Sequence, residues 1–269
     1  MMKMTESEAY RGRGAWPTKG TGGTIKRTTV KRVPVYKPGP YYMLSDNDAN
    51  RVGLRPFLLQ YAGQKVDLNE MAVYHGVLGI QALLVGRGLE CPMNGVFTSE
   101  TDIAVRLAQK QLGLTADGIV GKNTMRALLL PLIKRTAAEA SGQDWHAVYG
   151  ILANEGAFDP GAVGVLDPND VGLAQINLPS HPNVSFSDAF CPSTAVKFVA
   201  GLIAQGLSVF HDERDAVASY NLGVGGTKMW INAGRPESWT PPWDTTGRAR
   251  NVRTYIDRIL TQADKDGVK

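Results

Sequence analysis

The chain has two cysteines in 269 residues, and neither sits in a Cys-x-x-Cys pair. A disulfide-stapled scaffold and a zinc ribbon are both excluded. Cys91 and Cys191 are expected to be free thiols. The four histidines (His75, His146, His181, His211) show no metal-ligand spacing, so neither a metal nor another cofactor is expected. No uninterrupted apolar run approaches the roughly 20 residues of a membrane helix, and membrane insertion is not expected. The first thirty residues lack an apolar h-region, so no secretory leader is expected there. At roughly 150 residues per domain the length suggests about two domains.

Charge is scarce overall and unevenly placed. The formal net charge is +4, yet residues 1–40 hold nine Lys/Arg against two acids. That segment is therefore +7, and the remaining 229 residues sum to −3. It is rich in Gly, Thr and Pro and has no 3.6-residue period, so it reads as a disordered tail. It is either an inert leader or a tether to a polyanionic envelope component; no nucleic acid is required. Residues 41–73 read as a connecting segment with some helix, since Leu54, Phe57, Leu58 and Tyr61 have helical spacing although Pro56 interrupts it.

From Tyr74 to about Pro131 the chain repeats itself. Asn94-Gly95-Val96-Phe97 is followed by Thr101, and Asp117-Gly118-Ile119-Val120-Gly121 by Thr124, each threonine seven positions after its Asn or Asp. The Asx-Gly pair supplies a turn, and the threonine is placed to cap the next helix. Val77, Leu78, Gln81, Leu83 and Leu84 make one stripe. Ile103, Val105, Leu107 and Leu112 make a second, and Met125, Leu128 and Leu129 a third, ended by Pro131. Three short helices around two turns predict a small all-α bundle over 74–131. The ordered pattern, with Gln109-x-x-Leu112-Gly113-Leu114 between the turns, resembles the peptidoglycan-binding domain type 1 family. That resemblance implies a non-catalytic module that holds an enzyme on bacterial peptidoglycan, with Asn94, Gly95, Asp117, Gly118 and Thr124 in the wall-binding module. Thr98, where the family usually has Gly, and the insert Glu90–Met93 depart from the pattern.

A second module spans 135–263. Asp144 is a good N-cap for a helix through Trp145, Val148, Tyr149, Ile151 and Leu152, which stops at Glu155-Gly156. A carboxyl at a helix C-terminus faces the negative end of the helix dipole, and apolar neighbours oppose its ionisation as well. A carboxyl kept protonated near neutral pH is what acid-catalysed glycosidic cleavage requires. Downstream come Asp170-Val171-Gly172-Leu173-Ala174-Gln175-Ile176-Asn177, Ser180-His181, Ser219-Tyr220-Asn221-Leu222-Gly223 and a late Tyr255. In that order these motifs resemble soluble lytic transglycosylases and goose-type lysozymes.

The resemblance implies a lysozyme-like helical fold with Glu155 as catalytic acid and base. Gly172, Leu173, Gln175, Ile176 and Asn177 would line the glycan cleft, with His181 and Tyr255 nearby and Tyr220 and Asn221 opposite. Asn221 would meet an N-acetyl group. The family commonly has Ser after the catalytic Glu and Met within the Gly-Leu-Met-Gln-Ile motif, where this chain has Gly156 and Ala174. These changes imply altered subsite fit with activity retained.

One Glu suffices in the transglycosylases, where the muramyl 6-hydroxyl closes a 1,6-anhydro ring. The goose-type enzymes add carboxylates that position water, and here Asp167 and Asp170 are the candidates for a second carboxylate. The single-Glu reading is favoured. Wall-binding first and catalysis second resembles modular phage endolysins, which implies a monomer held in the host cytoplasm until holin-mediated release. A lysin carried in the virion is the alternative. Trp239-Thr240-Pro241-Pro242-Trp243 fits either a sugar-stacking lip or a staple onto the core. The Gly-rich run 223–228 reads as a relaxation of the backbone after the Tyr-Asn motif.

Overall fold

The computed structural model describes residues 58–61, 64–141, 144–164, 167, 169–242 and 249–268. The basic segment 1–40 and Trp243 lie outside the described residues. The fold is all-α, with three small antiparallel strand pairs among the described residues.

The first pair corrects the helical reading of Leu58 and Tyr61. Strand β1 (Leu58–Tyr61) pairs with β2 (Gln64–Asp67), Tyr61 opposite Gln64. A hairpin partner satisfies the backbone groups of these four residues at once, where a single helical turn would satisfy few of them. Helix α1 (Leu68–Gly86) comes next, then α2 (Ser99–Gln111) and α3 (Lys122–Ser141). The α1 stripe is buried as expected: Val77, Leu78, Gln81, Leu83 and Leu84 all face inward.

Half of the α2 stripe is not, although Val105 is buried and Leu112 packs against the core. Ile103 and Leu107 are 58% and 45% exposed, and the buried face is Thr101, Ala104, Val105, Ala108 and Gln109. Residues 103, 105 and 107 are two apart, which is strand spacing; on a helix they diverge.

The repeat is built on two glutamines. Gln81 Oε1 accepts from the Asn94 and Gly95 N–H groups (3.0 and 2.9 Å), while its Nε2 donates to Asn94 Oδ1, Val96 O and Thr101 Oγ1. Gln109 repeats the arrangement. Its Oε1 accepts from Gly118 N (2.9 Å), and its Nε2 donates to Asp117 Oδ1 (2.8 Å), Ile119 O and Thr124 Oγ1. Gly95 and Gly118 take φ of 69° and 75° at the two turns. Gly95, Gly118 and Thr124 are buried, and Oδ1 of Asn94 and of Asp117 is bound within its turn. These residues build the module, and only Asn94 and Asp117 among them reach its surface. The N-cap of α2 is Thr98, not Thr101, which lies one turn inside and is bound to Gln81.

Pro131 does not end α3. It lies inside a helix that runs to Ser141, although proline in a helix interior costs about 3 kcal/mol. Pro131 sits on the exposed face, where the carbonyl it strands can take water. Leu132, Ile133, Thr136 and Ala137 beyond it are buried, and their packing outweighs the local penalty. The helix therefore continues through residues 132–141, and α3 packs against both α4 (Trp145–Glu155) and α6 (Pro192–Phe210) of the second module.

One hydrophobic core runs from Val77 to Ala263 across both modules. His75 of α1 stacks on Phe190 (5.1 Å, 11°), and Leu78 and Ala82 pack with Cys191. Both cysteines are free.

The second module packs α6 against α7 (Glu213–Asn232), with α5 (Phe186–Ala189) leading in and α8 (Val252–Leu260) and α9 (Gln262–Lys265) covering α4. Helix α6 is long and apolar enough to cross a membrane by length and composition alone. That apolarity serves as core, since Ala195, Val196, Val199, Ala200 and Ile203 are all buried among the other helices. Strands β3 (Asp170–Val171) and β4 (Ile176–Asn177) form one hairpin, and β5 (Ser238–Trp239) and β6 (Arg250–Asn251) another.

Candidate active site

Glu155 is the last residue of α4, a helix capped by Asp144 and buried from Ala147 to Ala153. The glycine at 156 has a packing reason. Gly156 has φ −101°, so it is not there for a left-handed turn. A Cβ on it would overlap the Leu173 carbonyl, so the glycine lets the β3–β4 hairpin close onto the end of α4. The turn is completed by Ala157 and Phe158 in the left-handed region (φ 51° and 60°), a strained pair held by burial of the Phe158 ring.

From the other side comes α8. Tyr255 Oη donates to Glu155 Oε1 at 2.8 Å, and Asn154 Nδ2 donates to the same oxygen at 3.3 Å. Helix α8 lies close to α4 because Gly150 carries no Cβ where the Ile259 carbonyl passes. Its first turn is held by Glu237, which accepts from Thr254 N (3.1 Å) and Oγ1 (2.6 Å). Tyr220 of α7 closes the site from a third direction, donating to Ala174 O at 2.6 Å.

Burial pushes the Glu155 carboxyl above the ordinary carboxylate range. Asp170 nearby pushes the same way, while the Tyr255 and Asn154 hydrogen bonds and the charge of Arg258 oppose it. Burial, one of the two causes expected from the sequence, is the largest. Burial and the charge on Glu155 together push both tyrosine hydroxyls well above their usual value, so Tyr220 and Tyr255 stay protonated as donors.

The remaining expected residues divide. Leu173 and Ile176 are 0% and 1% exposed and belong to the core, so neither lines a cleft. Gly172 is buried against the Ala189 carbonyl. Gln175, at φ 46°, folds its Nε2 back onto Gly172 O (3.0 Å). Asn177 Nδ2 bridges Asp167 Oδ2 (3.1 Å) and Asp170 Oδ1 (2.9 Å), and its Oδ1 accepts from Ser180. Asp167 Oδ1 also accepts from Asn169, so Asp167 shapes the turn. Asp170 is closer to the chemistry: burial and Asp167 raise its pKa, and its charge acts on Glu155. His181 packs edge-on against Phe198 (4.8 Å), and burial lowers its pKa; no contact joins it to Glu155. Asn221 is exposed beside Tyr220, and Arg250 Nη1 donates to its Oδ1 (2.9 Å) and its backbone carbonyl (3.1 Å).

Arg250, Glu237 and Gly150 are not among the residues expected from the sequence. Each acts across the fold, and nothing in its local sequence marks it. Gly223 does what was expected of it, breaking α7 with φ 69° and ψ 165°. Trp239 packs half-buried against the core. Among the described residues no cluster of His, Cys, Asp and Glu could hold a metal ion.

A partly buried Glu with a raised pKa, flanked by two un-ionised tyrosines at the end of a buried helix, suits general acid catalysis. Residues 133–238 match the Transglycosylase SLT domain, and residues 76–128 match the Putative peptidoglycan binding domain. The second module is an SLT transglycosylase domain. A peptidoglycan-binding domain precedes it, and the pair supports a lytic transglycosylase acting on peptidoglycan. The SLT match stops before Tyr255, so the tyrosine that holds Glu155 comes from beyond the matched span. No curated protein matches the chain significantly.

Proposed function

We propose that the chain is an endolysin that cleaves the β-1,4 bond between N-acetylmuramic acid and N-acetylglucosamine without water, leaving a 1,6-anhydromuramyl end. The observation that carries this reading is the raised carboxyl of Glu155 held by Tyr255, with the Asp that acts on it, Asp170, tied to Asn177. Protonated Glu155 gives its proton to the departing glucosaminyl 4-oxygen as the C1–O4 bond breaks. The muramyl N-acetyl group assists at C1. The resulting carboxylate then takes the proton of the muramyl 6-hydroxyl, whose oxygen bonds C1. Glu155 ends protonated again, and no water is consumed.

A hydrolytic course is the second reading, and Asp170 is what favours it, being partly buried and electrostatically coupled to Glu155. Mass spectrometry of peptidoglycan digested in ¹⁸O-water separates the two. Anhydro ends without ¹⁸O are expected; reducing-end muramic acid carrying ¹⁸O would establish hydrolysis instead.

The order of modules supports an enzyme that waits in a host cytoplasm and reaches the wall through a holin. The +7 segment 1–40 would tether it to polyanionic envelope polymers. Immunoblotting purified phage particles separates this role from a virion-borne lysin.

A further inference from the structure

Asn221 is exposed on α7, next to Tyr220 and two residues before the break at Gly223. Its side chain would ordinarily rotate freely and offer either end of its amide. Here Arg250 of β6 fixes it: Nη1 donates at 2.9 Å to Oδ1 and at 3.1 Å to the backbone carbonyl of the same residue. A guanidinium has donors and no acceptor, so only the amide oxygen can face it. The amide NH2 group must then point away from Arg250. A charge-assisted bond that grips side chain and backbone together orients the amide more firmly than a neutral one would.

We infer that Arg250 is a positioning residue that fixes Asn221 as a hydrogen-bond donor toward a carbonyl oxygen of the glycan, the acetamido group being the carbonyl that every sugar of this substrate carries. The inference rests on the peptidoglycan-cleaving reading above. The resemblance already implies Asn221 at an N-acetyl group; the new element is Arg250, which reaches Asn221 of α7 from β6, 29 residues away in the chain.

Steady-state kinetics of the full chain on soluble, uncrosslinked peptidoglycan test it. Arg250→Met and Asn221→Ala are each expected to lower kcat/KM about tenfold, mainly through KM, and the double variant to be no worse than either single one. Losses that multiply would overturn the proposal, because Arg250 would then act elsewhere. Asn221→Asp tightens the tie to Arg250 but turns an acceptor outward, so it is expected to lose as much as Asn221→Ala. Wild-type kcat/KM for Asn221→Asp would refute the donor role, and this exposed variant decides the matter even if Arg250→Met misfolds. If the unaltered chain leaves the wall uncut, the function reading fails. If it cuts and the two losses multiply, only the Arg250 inference fails.

Discussion

The hydroxyl of Tyr255 meets the carboxylate of Glu155 at 2.8 Å across one hundred residues of chain. That bond favours the ionised form of Glu155, against a burial that favours the neutral one. The acid therefore titrates where these opposing effects leave it, and each of its neighbours shifts that point in a known direction.

Glu155 must start protonated, so activity falls as pH rises through its raised pKa, on the alkaline limb of the kcat/KM profile. Tyr255→Phe and Arg258→Gln each remove an influence that lowers that pKa and should move the limb to higher pH. Asp170→Asn removes one that raises it and should move the limb to lower pH. A pH profile on soluble wall fragments reads all three, and a shift of Asp170→Asn toward higher pH would contradict the assignment.

Gly156→Ser introduces the residue the family commonly carries, yet it should harm this protein. Its Cβ would meet the Leu173 carbonyl, which cannot swing aside as a flexible side chain would. A cost of about 1–3 kcal/mol is expected, with a lower melting temperature and reduced turnover. Unchanged melting would show that the hairpin gives way freely.

Gln109→Leu keeps volume and removes the buried amide that satisfies Gly118 N–H and Thr124. The expected loss is about 2–3 kcal/mol, from donors and acceptors left unmet. Because α3 and the core are shared between modules, the loss should appear in one cooperative unfolding transition followed by tryptophan fluorescence, four of the five tryptophans lying in the second module. A catalytic module that melts at its old midpoint would contradict the shared core.

His75 is buried at the junction, against Phe186 and Phe190, and burial lowers its pKa to about 4 from 6.5. The neutral ring is the folded form. Its contribution to stability is fully present above pH 6.5 and is lost as pH falls from there through about 4, by roughly 3 kcal/mol. His75→Phe should flatten that dependence in urea melts taken between pH 7 and 4. An equal slope in wild type and variant would place the acid sensitivity elsewhere.

Much of the fold is legible in the sequence where the signal is local. The Asx-Gly turns, the Asp144 cap, the stop at Glu155 and the break at Gly223 all depend on a few adjacent residues, and the structure has them. The α2 stripe misleads because residues 103, 105 and 107 have a strand period. Pro131 misleads because its local penalty is outweighed by the burial of Leu132 and Ile133, which no window around the proline reveals. Gln81 and Gln109 each precede an Asx-Gly turn, but the hydrogen bonds that tie each to its turn are not local. Their distances to that turn, 13 and 8 residues, differ, so their shared role shows only in the fold. Tyr255 enters by resemblance, but Arg250, Glu237 and Gly150 act on partners 17 to 109 residues away. Pairings of that kind belong to the fold and leave no local pattern.

That one carboxyl performs the cleavage is tested most directly by a single variant, Glu155→Gln. Its clearing of a suspension of purified bacterial walls is measured beside a wall pull-down of the same protein. Undiminished binding to the wall and no clearing are expected. A Glu155→Gln variant that clears walls at the wild-type rate would contradict the assignment of Glu155 as the acid.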